Sequence, residues 1–360
     1  MALRLSIVQI GKGTVGATLV EQVAAQRPAI RERLGVDLVH AGIAGRAAAA
    51  FDARGIDPAG WRQAVRPEAD GPARRLVREA ARAIPGPKVL VDATADEGMA
   101  DLYCEAFASG FHVVTCNKKP LAGPLADYRR TQQAARAAGR FLLYEVTVGA
   151  GLPILGTLRD LLDGGDRVRS IEGCFSGTLN FLCAGLDRGG RFSEVLRRAK
   201  ERGYTEPDPR EDLAGRDVAR KALILAREAG LAVEPEQVRL EPFCRLAGTG
   251  DAAAFLASVA TLDAPLSRLW DEAAARGLRR RYVAAVEDGC SAGPREVPAD
   301  GPLGRLAGPE NVFAFRTERY ADHPLVVAGP GAGPSVTAAG AFGDILSVAR
   351  ALARGGRGTE

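Results

Sequence analysis

Along the first half of the chain, short apolar runs alternate with stretches whose apolar residues recur every three to four positions. "LRLSIVQI" (3–10), "VDLVHAGI" (36–43), "KVLVDAT" (88–94), "HVVTC" (112–116) and "FLLYEV" (141–146) are strand candidates. Between them, residues 74–83, 99–109 and 124–138 are rich in Ala and Arg at helical spacing. Strand, helix and strand in repeated order predict a parallel sheet covered on both faces. Residues 55–71, interrupted by proline, read as a surface excursion.

From Gly149 the pattern changes. "VGAGLPILGTLRDLL" is a glycine loop running into a helix, and "VRSIEGCFSGTLNFL" is a strand, a Ser-Gly-Thr turn and a helix from near Thr178. Helices are expected over 192–202, 212–229 and 252–277. "RYVAAVED", "NVFAFRTERY" and "PLVVAG" are strands of a mostly antiparallel layer, and the Gly/Pro-rich 289–309 reads as a link between two of them. "GPGAGPSVTAAGAFGDILSVARAL" is a glycine turn feeding a helix that returns to the first domain. The expected division is 1–148 with helix 333–353, then 149–332, then a frayed tail at 354–360.

Composition narrows the function. The chain's 360 residues suffice for two domains with their own cores. Its net charge is only +4 and the basic residues are scattered, which argues against nucleic acid as partner. No apolar run of about 18 residues is evident, so no membrane span is expected. "MALR" leads straight into a strand without signal-peptide architecture, so a cytoplasmic location is expected. Six cysteines lack CxxC spacing and three histidines are dispersed, which suits neither zinc nor a disulfide framework.

The chemistry begins at "GKGTVG". Gly11, Gly13 and Gly16 follow the first strand, and Thr14 and Val15 open a helix. Such glycines allow a tight turn, close approach of a pyrophosphate and close helix–strand packing, and the helix start offers unpaired N–H donors. The second strand ends in "HAGIAGR" with no carboxylate between Asp37 and Asp52. Arg46 there suits the 2′-phosphate of NADP, with NAD as the alternative; it also reads as a solvated loop residue. "TCNKKP" places Lys118 and Lys119 after the fourth strand, on the ligand face of an open α/β sheet.

Only six of the 48 basic residues are lysines. Unlike arginine, lysine can give up a proton when its surroundings favour it. Asp217 and Lys221 are spaced i, i+4 on one helix, which on most surfaces is a weak ion pair. Here the helix follows the acidic, proline-stiffened "GYTEPDPRED". Reduction of an aldehyde needs a hydride at carbon and a proton at oxygen, and Lys118 and Lys221, brought from two domains across a cleft, would form a cationic pair for it.

Together "GKGTVG", "NKK", "EVTVGAGLPI", "IEGCFSGTLNF", "GYTEPDPREDLAGRDVARK", "GPENVFAFRTERY" and "GAGPSVTAAGAFGD" resemble homoserine dehydrogenase over nearly the whole chain, in its short form without a kinase or ACT-type domain. The resemblance implies a Rossmann-type α/β domain beside an α+β substrate and dimerisation domain. It implies reversible hydride transfer between L-homoserine and L-aspartate 4-semialdehyde, in threonine and methionine biosynthesis, by a homodimer joined through the second domain's sheet. It assigns catalysis to Lys221, Lys118 and Asp217. Substrate binding falls to Glu206, Asp212, Gly177 and Thr178, and cofactor contacts to Thr94 and Gly333 besides the glycine loop. Glu145, Val148, Ala150 and Leu152 match a site for a monovalent cation such as Na+. Other readings are a thiol-dependent aldehyde oxidiser, a reductase of another amino-acid aldehyde, and a non-catalytic NADP sensor.

Overall fold

A computed structural model describes residues 2–68, 71–245 and 251–355. The chain forms two compact units, residues 1–151 with 333–360 and residues 152–332.

The first unit is built on a seven-stranded sheet. Its strands are β1 (Leu3–Ile10), β2 (Val36–Ala44), β3 (Ala48–Phe51), β4 (Arg66–Pro67), β5 (Lys88–Asp92), β6 (Phe111–Thr115) and β7 (Leu142–Leu143), in the order β4-β3-β2-β1-β5-β6-β7. From β2 to β7 the pairing is parallel, the doubly wound arrangement of Rossmann-type domains, while β3 and β4 add antiparallel pairs at one edge. Leu5, Ile7, Val36, Leu38, Val89, Val91 and Val114 pack into one core with Leu19, Val23 and Ile30 of helix Thr14–Leu34.

Helix Pro334–Gly355 completes that core with Ala338, Ala341, Phe342, Ile345, Val348 and Ala349. Contrary to the expectation from apolar runs, its 21-residue segment Pro334–Arg354 is long and apolar enough to cross a membrane, with mean hydropathy 1.3 over its best 18-residue window. The buried stripe explains that composition: this is a core helix of the first unit. It takes in Arg354 and Gly355, which the sequence pattern assigns to a tail; residues 356–360 lie outside the described residues.

The second unit carries a six-stranded sheet of β8 (Val168–Cys174), β9 (Arg239–Leu240), β10 (Leu278–Val286), β11 (Cys290–Pro298), β12 (Asn311–Thr317) and β13 (Leu325–Gly329). The order is β13-β12-β8-β10-β11-β9, antiparallel except for β9 with β11. Three sequence expectations change. Residues 289–309 are not a plain link, because β11 pairs with β10 along nine residues. Pro294 is tolerated because β9 pairs only with Ser291 and Ala292, leaving β11 an edge strand from there on. The expected strand 141–146 shrinks to β7, because Val146–Gly149 turns helical. The single helix expected from Asp212 is two, Pro209–Leu213 and Arg216–Glu228, broken at Gly215. That residue sits at φ +70, and a Cβ there would lie 1.7 Å from the Tyr282 hydroxyl.

Candidate active site

In the first unit the glycine loop follows β1 and is held from beneath. The Gln9 side chain is fully buried and donates to the Gly11 carbonyl at 2.8 Å and the Gly16 carbonyl at 3.0 Å. His40 lies behind Gln9 at 3.4 Å, and burial pushes its imidazole down to about 4, so it is neutral at physiological pH. Each glycine answers a different demand. At Gly11, φ is +104 and a Cβ would meet the Ala93 carbonyl oxygen at 2.4 Å. A Cβ on Gly16 would meet the Gly11 oxygen at 2.1 Å, while one on Gly13 would meet nothing within 4 Å. Protein packing therefore does not explain Gly13; an approaching pyrophosphate does, and the residues present fit a dinucleotide. Thr14 and Val15 open helix Thr14–Leu34, whose first-turn N–H groups carry the partial positive charge. Gly333, at φ +107 with no neighbour near its absent Cβ, precedes helix Pro334–Gly355.

At the carboxyl ends of β5 and β6 lies a buried polar network that the sequence reading missed. Asp92 is fully buried. It accepts from the Tyr103 hydroxyl, from the Thr94 N–H at 2.8 Å and from the Asn117 amide at 3.1 Å. Burial raises the Asp92 carboxyl, and these hydrogen bonds oppose the rise. Asn117 also donates to the Asp96 carbonyl at 2.7 Å, and its side-chain oxygen accepts the Lys119 N–H at 3.1 Å. The network thus fixes the backbone on both sides of Lys118, which is half-buried, and sets the position of Thr94. Its signal in the sequence was a carboxylate at the end of β5 and an amide two residues past the end of β6. Lys119 reaches Glu97 at 3.1 Å.

In the second unit Lys221 is buried on helix Arg216–Glu228. Its ammonium donates to the Phe175 carbonyl at 2.8 Å and pairs with Asp217 at 3.0 Å. The same carbonyl accepts from the Asn311 amide at 3.3 Å, and Asn180 ties the Cys174 and Glu310 carbonyls at 3.2 and 2.7 Å. Two buried asparagines therefore shape the turn that anchors Lys221. Ser176 caps the helix that begins at Gly177. A Cβ on Gly177 would meet the Pro309 carbonyl oxygen at 2.9 Å, so glycine lets these segments close up.

The carboxylates gather on the same unit. The Glu206 N–H donates to Asp212 at 2.8 Å, and the Thr178 hydroxyl donates to the Tyr204 carbonyl. Burial raises the Asp212 carboxyl; the Glu206 N–H and the Thr178 side chain oppose the rise, and the nearby Glu206 and Asp217 charges add to it. The Glu206 and Asp217 charges thus both reach Asp212, and together the carboxylates give this face a negative potential that favours a cation. Glu206 and Asp217 are exposed.

Of the residues matched to a cation site, Glu145, Val148 and Ala150 belong to the first unit and Leu152 opens the second. Ala150 takes φ +54, an unusual value for alanine, and its carbonyl oxygen packs against Gly340. No cluster of three His, Cys, Asp or Glu suited to a metal occurs among the described residues. All six cysteines are free. Burial pushes the Cys116, Cys183 and Cys244 thiols up to about 12 and Cys290 to about 11, and raises Cys104 and Cys174. Burial thus disfavours the thiolate at each of them, which argues against thiol-dependent aldehyde oxidation.

Residues 153–346 match the family described as homoserine dehydrogenase, and residues 11–145 match its NAD binding domain. A chloroplastic bifunctional aspartokinase/homoserine dehydrogenase 2 of Zea mays is 40% identical over 357 residues, 97% of this chain and 39% of that protein. The chain spans well under half the length of such bifunctional relatives. A homoserine dehydrogenase of Paracoccidioides brasiliensis is 40% identical over 74% of this chain and 76% of its own length. Among solved structures, a Candida auris protein described as of unknown function aligns with TM-score 0.86 at 33% identity, covering 96% of this chain and 98% of that one. A hyperthermophilic archaeal homoserine dehydrogenase in complex with NADPH aligns with TM-score 0.73 at 26% identity, covering 96% and 97%.

Proposed function

The chain belongs to the homoserine dehydrogenase family, and from that premise we propose that it interconverts L-homoserine and L-aspartate 4-semialdehyde with NADP as the preferred cofactor and NAD as the weaker one. The observation that carries the reading is Lys221, oriented by Asp217 and the Phe175 carbonyl on the unit that also bears Asp212 and Glu206. A proton donor and an ammonium-binding carboxylate well are the two things an amino-acid aldehyde reductase needs from its substrate domain.

A bound nicotinamide supplies the hydride to the aldehyde carbon in one direction and accepts it from the alcohol carbon in the other. Glu206 and Asp212, with Gly177 and Thr178 lining the turn beside them, hold the substrate α-ammonium and its carbon chain. Lys221 gives a proton to the aldehyde oxygen as the C–H bond forms, so the alkoxide never stands free. In the oxidative direction it takes that proton back. Asp217 keeps the Lys221 ammonium in one rotamer. Lys118, fixed by Asn117 at the sheet's ligand face, is the second catalytic cation. Gly11, Gly13, Thr14, Val15 and Gly16 hold the pyrophosphate, Arg46 the 2′-phosphate, and Thr94 and Gly333 the rest of the cofactor.

The same reading includes Na+ held by Glu145, Val148, Ala150 and Leu152, and a cytoplasmic homodimer joined through the second unit's sheet. Exposed Val326 on edge strand β13 supports a partner there, and six free thiols support a reducing compartment. The test is an absorbance assay of aspartate 4-semialdehyde with NADPH and with NADH. The expected result is rapid oxidation of NADPH and slower oxidation of NADH. Tight cofactor binding with no turnover of either would reduce the chain to a nucleotide-binding protein.

A further inference from the structure

Lys12 lies inside the glycine loop, yet the cofactor-binding assignments above give it no task. Its stem has a definite place. A Cβ added to Gly45 would lie 2.7 Å from Lys12 Cε, 3.0 Å from Cδ and 3.2 Å from Cγ, so the lysine chain runs directly across the Gly45 backbone. The register brings this about. Ile10 pairs with Ala44 at the ends of β1 and β2, and the Gly11 N–H donates to the Ala44 carbonyl at 2.8 Å. Lys12 and Gly45 are thus the next residues on two adjoining chain segments. Gly45 then turns the chain, donating its N–H to the Ala48 carbonyl at 2.8 Å, with Arg46 on the turn.

Lys12 and Arg46 are both exposed. No carboxylate occurs between Asp37 and Asp52. Asp37, near the other end of β2, already pairs with Arg27 at 2.7 Å, and Asp52 pairs with Arg54 at 3.6 Å. Two exposed cations thus flank one glycine, beyond the carboxyl ends of β1 and β2. In this fold the adenosine ribose of a dinucleotide lies at that edge of the sheet.

We propose that Lys12 and Arg46 together form the seat for the 2′-phosphate of NADP, with Gly45 as the bare platform that lets the Lys12 stem reach it. The inference rests on the NADP reading of the first unit and adds a second selecting residue to it. A planar guanidinium grips phosphate oxygens in pairs, and an ammonium adds a compact charge from the other side. Neither cation has anything comparable to hold on NAD, which carries a free hydroxyl at that position.

Calorimetric titration with 2′,5′-ADP and with 5′-AMP tests this without any aldehyde, so a protein lacking homoserine activity would still give a reading. Wild type should bind 2′,5′-ADP about a hundredfold more tightly than 5′-AMP, and Lys12→Ala and Arg46→Ala should each remove roughly tenfold of that preference, leaving 5′-AMP affinity unchanged. Gly45→Ala keeps both charges and has room to fold, because only the flexible Lys12 stem must move. It should lose preference in the same direction as Lys12→Ala. Raised salt should shrink the preference in wild type more than in the double variant Lys12→Ala/Arg46→Ala. Equal wild-type affinity for the two ligands overturns the seat. An unchanged preference in Lys12→Ala removes Lys12 from it, and an unchanged preference in Gly45→Ala overturns the platform.

Discussion

The glycine loop of the first unit and the lysine–carboxylate cluster of the second face opposite electrostatic tasks. In the proposed function the loop holds an anion with backbone N–H groups, so what matters there is the absence of Cβ atoms at Gly11, Gly13 and Gly16. In the same proposal the cluster holds a cation and moves a proton, so what matters is which side chains stand at 206, 212, 217 and 221. A backbone site can be written in six consecutive residues. A side-chain site is gathered from the turn at 175–178, the loop at 204–208 and two helices. The first should break on adding a methyl group, and the second on moving a charge or a proton.

The largest effect belongs to the proton. Lys221→Arg retains a cation opposite Asp217 but cannot release a proton at working pH. Its kcat for aldehyde reduction should fall by about 10²–10⁴, with a much smaller change in KM. Steady-state kinetics with saturating NADPH check this, and a rate near wild type would take the proton-donor role away from Lys221. The next effect separates two glycines of one motif. Gly16→Ala pushes a methyl group into the Gly11 carbonyl, and overpacking of this kind costs about 1–3 kcal/mol, so both the unfolding midpoint and NADPH affinity should drop. Gly13→Ala meets only open space, so thermal stability should hold while NADPH binding weakens about tenfold or more. Equal affinity losses without any difference in stability would mean the loop is not packed as described.

How much of this could be read from the sequence follows the same division. β1, the glycine loop and the alternating pattern that sets the parallel sheet were legible, because each depends on neighbours along the chain. β3 was not, since "AAAF" has little strand preference and owes its place to pairing with β2. β11 was hidden by Gly293, Pro294 and Pro298, which signal a loop until an edge position is known. The break at Gly215 depends on the Tyr282 hydroxyl, which arrives from a strand more than sixty residues later. Asp217 and Lys221 could be paired by helical spacing. The second acceptor for Lys221 is a backbone carbonyl, and carbonyls leave no mark on a sequence. Gln9 and Asp92 did leave one, as polar residues within buried strands, where a side chain must find partners inside the protein.

The smallest effect tests the carboxylate well through pH. Asp212 carries a raised carboxyl, chiefly from burial, with Glu206 and Asp217 adding repulsion. A carboxyl raised by folding contributes stability below its unfolded value, near 3.8, and loses it as pH rises through the folded value, so at neutral pH its charge opposes folding. Asp212→Asn removes that charge, and its side-chain oxygen can still accept the Glu206 N–H. The variant should therefore unfold at a slightly higher temperature than wild type at pH 7, by on the order of 1–2 °C, since solvent reaches the half-buried carboxylate. As pH falls through the unfolded value the gap should close, because wild-type Asp212 is protonated there in both states. L-Homoserine should reverse the order at neutral pH. Its ammonium neutralises the well in wild type and finds a weaker one in the variant, so saturating ligand should raise the wild-type midpoint more. A variant that is less stable at pH 7, or that gains as much from homoserine as wild type does, would show that Asp212 holds the loop at 206 and not the substrate.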